Sequence, residues 1–107
     1  MNLTINGINW NIEEIKRTLM LNQPKDSNNV RLGETYYTKP LICLNCEVDK
    51  SIMKKTLIHE LTHAFIFSYG FTYVDYNDDD VLCDFMGCYA EQIVAIANDY
   101  MKQRKGE

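Results

Sequence analysis

The chain has 107 residues, of which 46% are hydrophobic and 24% charged. This length suits one domain, predicted to span residues 1–107, and the composition excludes a disordered chain. No apolar run approaches the ~20 residues that cross a bilayer, and the N-terminus lacks the basic head and apolar centre of a secretory signal. The net charge of −4, with basic residues thinly spread, does not favour nucleic acid. We therefore expect a soluble, cytoplasmic protein with no membrane or nucleic-acid partner.

The first part of the chain predicts a sheet interrupted by a short helix. Residues 3–5 and 8–10 suit two strands, and Asn6-Gly7 between them suits a type I′ hairpin turn. Asn11 can cap a following helix that extends to residue 20, with Glu14 at the capping-box position. A polar loop is expected over residues 22–29.

Two further strands are predicted at residues 35–37 and 41–44, joined around Lys39-Pro40. The second half has a helical pattern. Residues 49–69 contain neither glycine nor proline and end at Gly70, which can terminate a helix.

A second long helix is predicted from Asp78 to about Arg104, because three aspartates open it and basic residues close it. Strands first and helices last predict an α+β fold. We expect a zincin-like arrangement, in which a small antiparallel or mixed sheet precedes a metal-binding helix and a long C-terminal helix.

Residues 59–63 have the sequence H-E-L-T-H, an H-E-x-x-H pattern that contains the only two histidines of the chain. Residues four apart on a helix lie on one face, so His59 and His63 can bind one ion. Glu60 then lies beside the ion, where it can accept a proton from a zinc-activated water. Zinc lowers the pKa of that water from ~15.7 towards ~7. The pattern predicts a zinc site with Glu60 as general base.

The alternative is that these polar side chains decorate an exposed helix face. Apolar residues flank them, with Ile58 and Leu61 on one side and residues 64–67 on the other. We therefore expect the polar stripe to be enclosed, which favours the metal site over a solvated surface.

A hydrolytic zinc site takes a third protein ligand and leaves the fourth position open. The positions of the extended metzincin motif hold Ile66 and Tyr69, so a carboxylate or thiolate must come from the second helix. Four candidates lie on one face of the second helix, because they are three or four residues apart. They are Asp80, Asp84, Cys88 and Glu91. Asp80 and its neighbours are better suited to capping the helix.

Asp84 is the preferred third ligand. It is set beside Phe85 and Met86, where an unpaired carboxylate would be costly to bury. Gly87, nearly one turn later, would allow a close approach to the metal helix. Glu91 has a longer side chain and is the alternative.

Four cysteines offer a different zinc site. Cys43 of the Cys43-x-x-Cys46 pair lies in an apolar run, however, and Cys83 and Cys88 lie in a helical pattern. Structural zinc ligands usually stand in tight turns, and buried free cysteine behaves as a small hydrophobe. We expect neither a tetracysteine site nor disulfides.

Residues 56–64, T-L-I-H-E-L-T-H-A, resemble the core of small gluzincin-type metallopeptidases. The likeness is to compact phage and bacterial proteins related to the ImmA/IrrE peptidases and to stand-alone minigluzincins. It implies that His59 and His63 bind zinc and that Glu60 is the general base. The family's third ligand is typically a glutamate on the following helix, where this chain has Asp84 within C-D-F-M-G.

A hydrolase also needs a group that stabilises the oxyanion, and zincins often use a tyrosine or histidine for this. The candidates are Tyr37 on a predicted strand and Tyr69, Tyr73, Tyr76 and Tyr89 near the helix ends. Each of them also suits simple packing.

Three functions are compatible with these patterns. The first, which we favour, is a zinc endopeptidase that holds a peptide or protein substrate along the edge of its sheet. The second is a binding or regulatory module that keeps zinc as a structural element. The third is a latent peptidase whose cleft is occupied by residues 22–29 or by the basic C-terminal tail.

Overall fold

The structure, a computed structural model, describes residues 1–16, 31–71 and 77–104. Within these residues the chain forms a mixed sheet with strand order β1-β2-β4-β3. The elements are β1 (Asn2–Ile5), β2 (Ile8–Ile15), β3 (Gly33–Tyr36), β4 (Leu41–Asn45), α1 (Lys50–Ser68) and α2 (Asp79–Gln103). The β2–β4 pair is parallel, whereas β1–β2 and β3–β4 are antiparallel. The predicted α+β class is confirmed.

The hairpin of β1 and β2 turns at Asn6-Gly7, as predicted. Both residues have positive φ, 46° for Asn6 and 81° for Gly7. A type I′ turn requires this at both central positions, because its twist then matches that of the flanking strands.

The helix predicted after Asn11 is wrong over its described part, since β2 continues to Ile15. Pairing on both sides holds this segment extended, with β1 antiparallel and β4 parallel. Trp10 and Ile12 alternate into the core with the period of a strand. Asn11 caps no helix, and its side-chain amide donates instead to Glu13 Oε1 at 3.0 Å. Residues 17–20 of the predicted helix and the predicted loop at residues 22–29 lie outside the described residues.

The two strands predicted at residues 35–37 and 41–44 are confirmed with shifted ends. Strand β3 begins earlier, at Gly33, and ends at Tyr36. Tyr37 therefore lies in the turn before Pro40 rather than on the strand.

Both predicted helices are confirmed. Gly70, just beyond α1, has a φ of 77°, which lets the chain leave the helix. At the start of α2, the Asp78 side chain accepts a hydrogen bond from the Asp80 amide at 3.0 Å. Among the described helices, none combines the length and apolar character needed to cross a membrane.

Helix α1 is the central element, because it contacts β1, β3, β4 and α2. The buried core between the sheet and the helices contains Ile5, Trp10, Ile12, Ile42, Leu44, Met53, Leu57, Leu61, Ala64, Phe65, Phe85, Ile93, Ala97 and Tyr100.

At the C-terminal end of α1, Ser68 accepts two hydrogen bonds from the hairpin of β1 and β2. Trp10 Nε1 donates to Ser68 Oγ, and Asn6 Nδ2 donates to the Ser68 carbonyl, both at 2.9 Å.

The end of α2 is attached to β2 through one carboxylate. Glu14 accepts hydrogen bonds from the Tyr100 hydroxyl at 2.5 Å and from Arg104 Nε and Nη2 at 3.0 and 2.9 Å. The hydrogen bond from Arg104 is the main cause that lowers the pKa of Glu14, and burial opposes it. Arg104, one of the basic residues that close the second helix, thus has a specific partner 90 residues away.

We predict that Glu14→Gln lowers the free energy of unfolding by about 1–2 kcal/mol at pH 7, because it removes a charge-assisted pair. The folded pKa of Glu14 is depressed, so its contribution is present above the unfolded pKa and is lost as the pH falls through the folded value. In urea unfolding, the difference between wild type and variant should therefore shrink as the pH falls below the ordinary glutamate pKa of about 4.3. Exposed Glu13 on the same strand provides the control variant, Glu13→Gln, and an equal loss in both variants would contradict this account.

Candidate metal and active site

His59 and His63 lie on one face of α1, as the H-E-x-x-H spacing predicts. Their ring centroids are 4.9 Å apart, with the ring planes inclined by 73°. Both side chains are exposed, so the expectation of a fully enclosed polar stripe is wrong for the histidines. The two imidazoles are accessible from solvent.

Glu60, in contrast, is buried, with 6% of the residue exposed. The Thr35 hydroxyl of β3 donates to Glu60 Oε1 at 2.7 Å. A buried carboxylate needs such a partner, because desolvation without a hydrogen bond is costly. The contact turns Glu60 towards the edge strand while the two histidines stay exposed.

Gly33 allows β3 to lie this close to α1. A Cβ added at Gly33 would stand 2.7 Å from Thr56 Cγ2 and 3.0 Å from Glu60 Cγ. The first distance is shorter than any ordinary contact, so a side chain here would push strand and helix apart. Sequence reasoning missed both Gly33 and Thr35. The available signal was a glycine at the start of a β-rich segment, which often marks a close approach of another element.

A small pocket of about 180 Å³ joins these groups. It is lined by Arg31, Gly33, Glu34, Thr35, Tyr37, His59, Glu60 and His63. The histidines and Glu60 of one helix therefore face the same space as the edge strand and the turn that follows it.

Tyr37 is the tyrosine of that pocket. Its ring packs on Phe67 and Trp10, with centroids 4.9 and 6.4 Å apart. Burial, and then the charge of Glu60, raises the pKa of Tyr37. The hydroxyl is therefore protonated at neutral pH and can donate a hydrogen bond.

The other tyrosines singled out in the sequence are placed elsewhere or not described. Tyr69 and Tyr89 stack on each other at 4.5 Å between α1 and α2. Tyr73 and Tyr76 lie outside the described residues.

The reasons for choosing Asp84 as third ligand are wrong. Asp84 and its neighbour Met86 are exposed, so the carboxylate is not surrounded by apolar groups. A Cβ at Gly87 would meet no atom within 4 Å, so no close helix approach occurs there. Glu91 is also exposed. Within residues 1–16, 31–71 and 77–104, no three His, Cys, Asp or Glu side chains form a group able to hold a metal.

The packing of the two helices explains this arrangement. Tyr89 of α2 contacts Phe65 of α1 and Tyr69, the residue that follows α1, with ring centroids 5.8 and 4.5 Å apart. At about 100° per residue, Phe65 stands roughly 200° around α1 from His63. Helix α2 thus packs on the flank of α1 that faces away from the histidines.

The four cysteines do not form the alternative zinc site in the described structure. All four are free, and Cys46, Cys83 and Cys88 are exposed. Cys43 is buried on β4, and burial raises the pKa of its thiol to about 11. Cys43 is therefore a buried, protonated thiol at neutral pH and behaves as a small hydrophobic side chain of the strand.

Comparison with known proteins finds no matching family model, no matching curated protein and no matching solved structure. The resemblance to small gluzincins thus remains a prediction from residues 56–64.

Two glycine-to-alanine variants test the close approach at β3. We predict that Gly33→Ala lowers the free energy of unfolding by about 1–3 kcal/mol, because the new methyl overpacks against Thr56. Gly87→Ala, in an open helix position, should instead raise it by about 0.5–1 kcal/mol. Chemical denaturation of both variants measures these changes. A neutral effect of Gly33→Ala would show that strand and helix are not held at this distance.

Proposed function

We propose that the chain is a zinc-dependent hydrolase, a small zincin-like metallopeptidase that cleaves peptide bonds. The observation that carries the proposal is the arrangement on α1. Two exposed imidazoles share a face, and the intervening glutamate is buried and held by a hydroxyl of the adjacent edge strand. A surface helix that merely carried polar residues would not need Glu60 to be fixed in this way.

His59 and His63 are suitable for two of the ligand positions of a zinc ion. Imidazole nitrogen is a preferred zinc donor, and both rings belong to successive turns of one helix. The third ligand is not among the described groups, and Asp84 and Glu91 stay the predicted candidates. When bound, zinc would supply Lewis acidity and lower the pKa of a water molecule.

The roles of the chain's own residues follow from their hydrogen bonds. Thr35 binds Glu60 Oε1, so Oε2 is the oxygen to which we assign proton transfer from the attacking water. Gly33 leaves space beside that oxygen, because its absent Cβ would lie 3.1 Å from Oε2. The protonated Tyr37 hydroxyl in the same pocket is the group we assign to the developing oxyanion.

Strand β3 offers a place for a peptide substrate. Among the described strands it lies at one edge of the sheet, and the backbone amide of Asn45 donates to the Leu32 carbonyl at 2.9 Å. Antiparallel pairing alternates, so the backbone groups of Gly33 and Thr35 point away from β4. An extended peptide could add to the sheet there and bring its scissile bond past the histidines.

A purely structural zinc has less support. Structural zinc sites are closed by four protein ligands, whereas His59 and His63 are both exposed, as an open site requires. A latent enzyme would require residues 22–29 or the tail as the occluding segment. The first of these lies outside the described residues, and Arg104 before the tail binds Glu14.

We predict that purified protein contains about one zinc per chain and that His59→Ala and His63→Ala each abolish this content, because each removes one of two adjacent donors. Mass-spectrometric metal analysis would include Asp84→Ala and Glu91→Ala. Loss of zinc in either variant would assign the third ligand to α2, whereas retention in both would place it elsewhere. Zinc retained in both histidine variants would refute the site.

We also predict that Glu60→Gln keeps the metal and lowers peptide cleavage by at least about 10²-fold, because the general base is lost. A glutamine carbonyl can still accept the hydrogen bond from Thr35, so the fold should persist. Cleavage of a quenched fluorescent peptide library, with zinc content and melting temperature as controls, measures this. Undiminished proteolysis would exclude Glu60 as the base.

A further inference from the structure

A larger groove continues from the small pocket along the N-terminal half of α1. Its volume is about 530 Å³, and it is lined by Arg31, Leu32, Gly33, Ile52, Lys55, Thr56, His59 and Glu60. Gly33, His59 and Glu60 line both spaces. A peptide bound at the edge strand would therefore place side chains in this groove beside the reacting bond.

The groove carries exposed apolar surface from two different elements. Leu32 precedes β3 and is 39% exposed, and Ile52 in the first turn of α1 is 40% exposed. Exposed large hydrophobic side chains that converge on one concave surface are typical of a binding site. An aliphatic substrate side chain that covered both residues would remove this surface from water.

The same groove also carries two cations, although the chain as a whole has a net charge of −4. Lys55 is exposed on α1, and Arg31 lies at the opposite side with 42% of its side chain exposed. Glu34 lies 3.5 Å from Arg31 Nε and offsets part of the Arg31 charge. Lys55 is therefore the cation on which we base the test.

We propose that this groove selects substrates in which an aliphatic residue and an acidic residue lie two positions apart next to the scissile bond. This inference rests on the proposed function and specifies its substrate class. In an extended peptide, side chains two apart share a face and neighbouring ones alternate. One side chain can thus cover Leu32 and Ile52 while a carboxylate reaches Lys55 or Arg31.

The first experiment digests a degenerate peptide library with the zinc-loaded full chain and identifies cleavage sites by mass spectrometry. We expect acidic residues to be enriched two positions away from an aliphatic residue at the cleaved bonds. Lys55→Glu should reduce the acidic enrichment on the order of fivefold and favour basic residues, as expected for reversal of an exposed charge pair. Lys54→Glu is the matched control, since Lys54 does not line the groove, and should keep the wild-type preference.

The second experiment measures binding without turnover. Fluorescein-labelled pools of acidic-aliphatic and basic-aliphatic peptides are titrated with Glu60→Gln protein, alone and combined with Lys55→Glu. Tighter binding of the acidic pool, lost with Lys55→Glu, supports the groove even if no peptide is cleaved. Cleavage with no acidic preference, or identical profiles for Lys55→Glu and Lys54→Glu, overturns the inference and leaves the proposed function intact. Absence of both cleavage and binding overturns both.

Discussion

The close contact between β3 and α1 is the constraint on which the candidate site depends. Gly33 lets the strand approach Thr56, and Thr35 then reaches Glu60 Oε1 at 2.7 Å. This one approach buries the carboxylate, leaves the histidines exposed and sets the β3 edge of the described sheet alongside them. A larger residue at position 33 would disturb all three features together, because interiors are close-packed and cannot absorb an extra methyl without movement.

Strand β3 provides hydrogen-bond donors to buried carboxylates on both of its faces. On the helix side, Thr35 binds Glu60, and on the other side the Tyr36 hydroxyl donates to Glu34, which is 3% exposed. Buried carboxylates are tolerated only when such partners compensate for lost hydration. Strand β3 thereby combines fixed polar groups with backbone atoms that point away from β4, the combination that the proposed peptidase would use.

The two flanks of helix α1 make different contacts. Phe65 and Tyr69 pack against Tyr89 of α2, while His59 and His63 face the pocket beside β3. The far end of α2 is fixed to β2 through Glu14, so aromatic contacts near one end and a charged hydrogen-bond network at the other hold the helix. This arrangement explains why the acidic residues of α2 are not gathered around the histidines in the described structure.

The sequence by itself determined the features that depend on near neighbours in the chain. The turn at Asn6-Gly7, both helices and their ends, and the shared face of the two histidines follow from local φ preferences, capping and helical period. Only the tertiary structure decided the rest. Residues after Asn11 form a strand because β4, some 30 residues later, pairs with them. The burial of Glu60, the role of Gly33 and the exposure of Asp84 likewise depend on contacts between distant segments, which no local pattern encodes.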